Sequence, residues 1–594
     1  MRAQLSVAAF LLFCACGPAA SKDKYQGLMS IEVEPANATL TWTGTPVTLD
    51  YKAIGHFEDG SMKEIPEAVF ALDTDATALG NMNVAQFEAT GAAAGKGGVI
   101  AQAGDIVGAT SVAVIIHPVH IGPGVPPGAE QNFPDNPPTS ASSPSIVYPL
   151  EGAVMPSSVK SPDVQWEGSN AAGDLYRVRI TAGQFATVDT ILAAGPGFKL
   201  DNQVSDAEWG MLVKSAGSGP VTINVAHWSQ ATSASGGAPR TVRMVPGDIT
   251  GAIYYWNLGA GEMEKIDRTG RSKAITNPPA QPSTGSRCVA CHTVSKDGRY
   301  LSGSLWGGGL QGGVFDMTNP GVVTMDPAPT LAPVVEGSTY TQLFSTFNAD
   351  ASRLMVNVGA GSLYVVDPRT GATVPTTGTP LPTAGASHPA WSPDGTAVAF
   401  INNITVGGGP VGWAIDYDRG DLQIMSSSGD SFGAPANVVA AASVDPAFAA
   451  PSWPSFAPDS QWIVYGAGNH SRGESTTPSG TTRFPGSLFI VNRNGGATVR
   501  LDTACGGARD CYLPNFSPYD TGSHLWVVYY SFRDYGNALA GTKGTGRRQM
   551  WITAIDKSKL GQNVDASSVS YWVPDQDTET ANMSAFWAPP PPIQ

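Results

Sequence analysis

From Met29 to Ile116 apolar and polar residues alternate in short runs: Ile31-Glu32-Val33-Glu34, Val47-Thr48-Leu49-Asp50-Tyr51, Phe87-Glu88-Ala89-Thr90 and Thr110 to Ile116. A period of two is that of half-buried strands, and the Gly and Asp residues between the runs supply turns, so 29–117 reads as a small β-sandwich. Residues 118–145 carry Pro118, Pro123, Pro126, Pro127, Pro134, Pro137 and Pro138. Proline favours an extended backbone and cannot donate to a ladder, which predicts a semi-rigid linker. Alternation resumes over 146–247, in Val164-Gln165-Trp166, Leu175 to Ile180 and Val221 to Trp228, and predicts a second sandwich. No stretch holds a 3.6-residue apolar period over three heptads.

The remainder, 248–594, repeats itself. Ser387-His388-Pro389-Ala390-Trp391-Ser392-Pro393-Asp394-Gly395 aligns with Ser452 to Ser460, Tyr512 to Pro518 and Phe344 to Asp350. Each copy is followed by two hydrophobic strands, at a period of about 45 to 65 residues, which is the signature of four-stranded propeller blades. The segment Val294 to Leu301 joins the series. Ile253 to Trp256 and Glu262 to Asp267 read as outer strands without an inner one, and Met583 to Pro589 as an inner strand without outer ones. Joined, they close a ring of six blades. The predicted fold class is all-β: a six-bladed β-propeller preceded by two β-sandwiches.

Three resemblances attach to these patterns. The run Ala53-Ile54-Gly55-His56-Phe57-Glu58-Asp59-Gly60-Ser61 resembles the hairpin of bacterial Ig-like domains of the second group, which implies a spacer or adhesive unit. Trp166 followed by Tyr176-x-Val178-x-Ile180 is similar to a fibronectin type III domain. The His388-Pro389-Ala390-Trp391-Ser392-Pro393-Asp394-Gly395 phrase resembles TolB and related WD-type propellers, where proline presets φ and glycine supplies a positive φ at the turn.

The N-terminus reads as a targeting segment. Arg2 precedes the apolar run Leu5 to Phe13, which is too short to span a bilayer. Phe13-Cys14-Ala15-Cys16-Gly17 resembles a lipoprotein lipobox, with Phe13 where the family usually has Leu. The resemblance implies a signal peptide over 1–16, lipidation of Cys16, a polar tether over 17–28 and an anchor in the envelope of a Gram-negative bacterium. Cys505 and Cys511, with five residues between them, read as a small structural disulfide of an oxidising compartment.

Cys288-Val289-Ala290-Cys291-His292 resembles the attachment motif of c-type cytochromes. Two thiols at that spacing can add to the two vinyl groups of one haem, with the next histidine beneath the iron. The motif thus implies covalent haem c on Cys288 and Cys291, with His292 as proximal ligand. A thioredoxin-like pair would want a βαβ context, and zinc a second Cys or His pair at short spacing. The repeat alignment sets Cys291 opposite His388, near the channel mouth, and Met583 at nearly the same point of the closing blade. Met583 is the first candidate for the distal ligand and His388 the second, with His470, His524 and an open site as alternatives. Asp416-Tyr417-Asp418-Arg419-Gly420-Asp421 has the look of a calcium loop but lacks the distal Glu, and reads as a solvated turn.

Charge narrows the functions further. With 34 basic against 49 acidic residues the net charge is −15, which argues against nucleic acid as partner. The chain is expected to be a lipid-anchored electron-transfer protein with a redox or envelope protein partner. The alternatives are a TolB-like binding scaffold with a structural or sensory haem, or a haem peroxidase with an open distal site.

Overall fold

A computed structural model describes residues 25–592, except 246, 248–250, 276, 277, 279, 282, 286, 307–310, 319–340, 478 and 479 and the side chains of 475–480. The leader, Cys16 and most of the tether lie outside the described residues. The chain divides into two compact units, 1–118 with 183–187, and the remainder.

In the first unit Leu28–Glu34 pairs antiparallel with Lys52–Phe57, which turns through Asp59 and Gly60 into Met62–Glu64. Ile106–Ile116 pairs with Ala38–Trp42 and Gly95–Ala103, and Gln86–Ala89 lies between Val47–Asp50 and Gly80–Asn83. Alternate residues Val99, Ala101, Val112 and Val114 are buried, as is Phe87. This is the sandwich that period-two patterning predicts.

The second unit opens on another sandwich. Ala153–Pro156, Arg240–Val245, Pro220–Ser229 and Leu175–Ala182 form one sheet, and Ser145–Tyr148, Val164–Glu167 and Asp201–Asn202 the other. Trp166 and Tyr176, ring centroids 5.3 Å apart, fill the centre. The proline-rich stretch, expected as a semi-rigid linker, is in part packed against the sandwich. Val119–Ile121 pairs in parallel with Asp189–Ile191, and Ala129 and Phe133 are buried. The buried Arg177 explains the difference, because its guanidinium donates to the carbonyls of Phe133 at 3.0 Å and Pro134 at 2.9 Å. A chain of prolines has few N–H groups to satisfy, yet offers carbonyls to a buried cation.

The rest of the unit is a β-propeller. Among the described residues six sheets stand in a ring. Their inner strands are Asn582–Ala588 (blade 1), Val289–Val294 (blade 2), Phe344–Phe347 (blade 3), Ser387–Trp391 (blade 4), Ala450–Phe456 (blade 5) and Cys511–Phe516 (blade 6). Each inner strand lies against the next, and the sixth against the first. Blade 1 takes its inner strand from the C-terminal end and its outer strands from Ala252–Asn257, Glu262–Asp267 and Gly270–Lys273, which closes the ring as the broken repeats predict. Side-chain oxygens clasp neighbouring blades. Thr346 Oγ1 accepts from the Trp391 N–H at 2.9 Å, Ser455 Oγ from Phe516 at 3.0 Å and Asn515 Oδ1 from Trp587 at 2.7 Å. At the blade 2 turn Gly298 has φ +74°, and a Cβ there would lie 2.3 Å from the Pro589 carbonyl, so only glycine fits.

The second sandwich is seated on blade 6 rather than held apart as a spacer. Asn537 donates through Nδ2 to the carbonyls of Trp166, Lys199 and Leu200 at 3.0–3.1 Å, and its N–H donates to Gln165 Oε1 at 2.9 Å. Tyr535 stacks on Trp572 at 3.9 Å and meets Tyr148 edge-on at 4.8 Å.

Cys505 and Cys511 are disulfide-bonded, with Cα atoms 6.0 Å apart. Both sulfurs are buried, and the bond joins a helical turn to the start of the blade 6 inner strand, closing the exposed loop 506–509 between them. Closure of so short a loop contributes about 2 kcal/mol. The double variant Cys505→Ser, Cys511→Ser is expected to lower unfolding stability by that amount, measured by urea titration of the oxidised protein against the variant.

Candidate functional site

The inner strands of five blades carry the same irregularity. The ladder slips by one residue in blades 1, 2, 4, 5 and 6, and Ser584, Cys291, His388, Trp453 and Leu513 there have φ between +47° and +57°. A left-handed residue other than glycine costs roughly 1–2 kcal/mol, and a bulge of this kind re-aims a side chain out of the ladder. None of the five residues is β-branched, the class for which this conformation is hardest. Their side chains converge on one cavity of about 90 Å³ at the channel mouth, where Phe344 of blade 3 and His292, Phe456 and Phe586 also stand.

Cys288 and Cys291 form no disulfide, and both are half-buried. Burial, with the neighbouring Cys288 adding to it, pushes the Cys291 thiol up to about 12. A redox-active dithiol needs a low thiol pKa, so this pair lacks the electrostatics of a thioredoxin-like centre. His292 is buried, and that burial brings its pKa down to about 4, so the imidazole is neutral. Its Nε2 lies 3.3 Å from the Tyr254 carbonyl. A carbonyl only accepts, so Nε2 carries the proton and the lone pair is on Nδ1, which is buried without a partner.

His388 repeats the arrangement from blade 4. Burial lowers its pKa to about 3. Its ring stacks on Phe344 at 4.0 Å and meets Trp453 at 4.5 Å. Nδ1 lies 2.9 Å from Ser387 Oγ and 3.1 Å from the Tyr417 hydroxyl. Those two hydroxyls donate elsewhere, to the carbonyls of Ala414 and Pro451, so both accept at Nδ1 and the proton is there. The buried Nε2 is then a lone pair with no partner. Two neutral imidazoles with uncommitted lone pairs thus line one small cavity with a thiol. Among the described residues no cluster of three or more His, Cys, Asp or Glu could hold a bare metal ion.

The other candidates fall elsewhere. Met583 is outside the cavity wall: Ser584, one residue on, occupies the bulge, so Met583 turns away to pack with Tyr512, Leu513 and Tyr530. Its sulfur lies 2.6 Å from the Arg548 guanidinium. His470 stacks on Phe484 at 4.2 Å and accepts from the Arg472 N–H, and His524 lies beside Ser523 at the start of an outer strand. Asp416 pairs with Arg472, and Asp418 and Asp421 accept backbone N–H groups; the segment is not the solvated turn expected, since Tyr417 is buried and Arg419–Ser428 is a strand. Trp453, Phe344 and Phe586 carry no motif. The repeat alignment, which sets both Trp453 and Phe344 opposite His388, is the signal that could have marked two of them.

The donor set fits haem c by its chemistry: two thiols with two residues between them, a neutral histidine beside them and a second across the cavity. The cavity itself, about 90 Å³, is far below the roughly 300–1,000 Å³ of pockets that enclose whole ligands, so a haem tethered at Cys288 and Cys291 would stand only partly inside the channel mouth.

No family model matches the chain, and no curated protein does. It is similar to an ancestral GH74 enzyme (TM-score 0.32, 10% identity, 58% of this chain and 37% of that one) and to an oligogalacturonate lyase in complex with manganese (0.28, 12%, 49% and 67%). It is also similar to the Swd1 β-propeller domain of Myceliophteria thermophila (0.26, 12%, 56% and 92%). The chain therefore spans 37% of the length of the first of these.

Proposed function

We propose that this is an exported, lipid-anchored electron-transfer protein that carries haem c at the channel mouth of a TolB-like propeller, behind a bacterial Ig-like domain. Covalent haem would supply one-electron chemistry, its potential set by axial ligands and burial. One observation carries the reading. His292 and His388 both line one cavity and each keeps a buried, neutral ring nitrogen with no hydrogen-bond partner, and no third protein ligand completes a metal site there among the described residues. A metal held there must bring its own equatorial ligands, as a porphyrin does. Cys288 and Cys291 would tether the group and His292 would ligate it. His388, fixed in one tautomer by Ser387 and Tyr417, is the distal candidate in place of Met583. Periplasmic or outer-membrane placement, and a redox or envelope partner, follow from the leader and from the need of such a carrier for a second redox protein.

The reduced protein, purified from a host that attaches haem c, is expected to show a sharp α band that carbon monoxide does not alter. His388→Ala should make that band sensitive to carbon monoxide, whereas Met583→Ala should leave the spectrum unchanged. A spectrum altered by the Met583 change and not by the His388 change would reverse the ligand assignment. Ready binding of carbon monoxide by the unaltered protein would point to a sensor or peroxidase instead.

A further inference from the structure

Below the mouth, the channel continues into a second cavity of about 120 Å³, and Lys296, Ser455, Phe456, Asn515 and Phe586 line both. The second cavity is ringed by Pro393, Pro458, Pro518 and Pro589, the prolines of the turns after the inner strands of blades 4, 5, 6 and 1. Blade 2 has Lys296 at this position. Lysine is a poor choice for a wall of prolines and aromatic rings, since desolvating an ammonium is costly. Burial indeed brings its pKa down to about 8. No Asp or Glu lines either cavity, and no ion pair of Lys296 is found among the described residues. Lys296 is the one Lys, Arg, Asp or Glu among the residues that line the two cavities.

A second donor, on blade 5, lines the same two cavities. Ser455 Oγ accepts from the Phe516 N–H at 3.0 Å and from Asn515 Nδ2 at 3.3 Å, and its own proton has no protein acceptor among the described residues. We propose that the waist of the channel binds a small carboxylate, held by the Lys296 ammonium and the Ser455 hydroxyl, with its short apolar part against Phe456 and Phe586. An ammonium and a hydroxyl satisfy the two oxygens of a carboxylate. Phosphate would leave further charged oxygens against apolar rings, at a desolvation cost. Each cavity has room for several water molecules, and so for an acid of a few carbons. The site uses neither imidazole, so it stands or falls separately from haem attachment.

Calorimetric titration of the purified full-length protein with sodium butyrate tests this, at fixed ionic strength and against inorganic phosphate. Butyrate is expected to bind, and phosphate at least tenfold more weakly. Lys296→Met and Lys296→Pro should each weaken butyrate at least tenfold, Lys296→Arg should retain it, and Ser455→Ala should weaken it severalfold. The Pro variant carries the residue that four other blades already hold there, so it keeps the assay valid if the Met variant fails to fold. Absence of butyrate binding, equal binding by the Pro variant, or a preference for phosphate would overturn the assignment.

Discussion

Replacing Cys288 and Cys291 together by alanine is expected to abolish covalent haem while leaving the propeller folded. Both thiols are half-buried and make no disulfide, so their loss removes little packing. Cys291 touches the cluster around Phe344, Ile401 and Tyr465 only from its edge, and truncation of one small side chain there costs on the order of 1 kcal/mol. Urea unfolding should therefore shift little, while the haem band falls to background. Single variants should retain haem by one thioether, because the other thiol remains beside the same histidine. His292→Ala should act differently, giving haem that is attached but has lost its proximal ligand, with a displaced absorption maximum. If the double variant keeps its haem through denaturation, the attachment is elsewhere.

The second large effect is predicted far from the haem motif. Asn537→Ala removes the three side-chain hydrogen bonds that join the second sandwich to blade 6, and leaves the Trp166 and Leu200 carbonyls buried without that donor, while the backbone N–H to Gln165 remains. A single buried group left unpaired costs about 1–3 kcal/mol, so a total of roughly 3 kcal/mol is expected, read as a lower urea midpoint with an unchanged slope. Were the sandwich an independent spacer, the same change would leave the propeller transition where it is. Two transitions in the variant against one in the parent would show that this contact makes the unit cooperative.

Much of this architecture was legible in the sequence because propeller blades repeat both their hydrophobic strands and their turn chemistry. The Ser-Pro-Asp-Gly phrase marked the inner strands, and the unpartnered strand fragments at the two ends of the domain marked the closure. Position within the site was harder to read. Period-two patterning assumes an unbroken ladder, and a left-handed bulge shifts every later side chain by one place. That shift is why Met583 looked aligned with Cys291 although Ser584 is its true counterpart. His388 was placed correctly, since the Trp391-Ser392-Pro393 phrase fixed its offset. The strap over 118–145 was read as a linker because composition records the prolines but not the acceptor-seeking Arg177 more than thirty residues on. The Asn537 clasp and the exchange of proline for Lys296 left no periodic signal at all.

The haem assignment and the propeller meet in one measurement. The mature protein, purified from a host competent for c-type haem attachment, is denatured, stripped of non-covalent haem with acidified acetone and weighed by mass spectrometry. A chain heavier by one haem, with the modification mapped to the peptide containing Cys288 and Cys291, is the predicted result. A mature chain of unmodified mass, with both thiols open to alkylation, would contradict it.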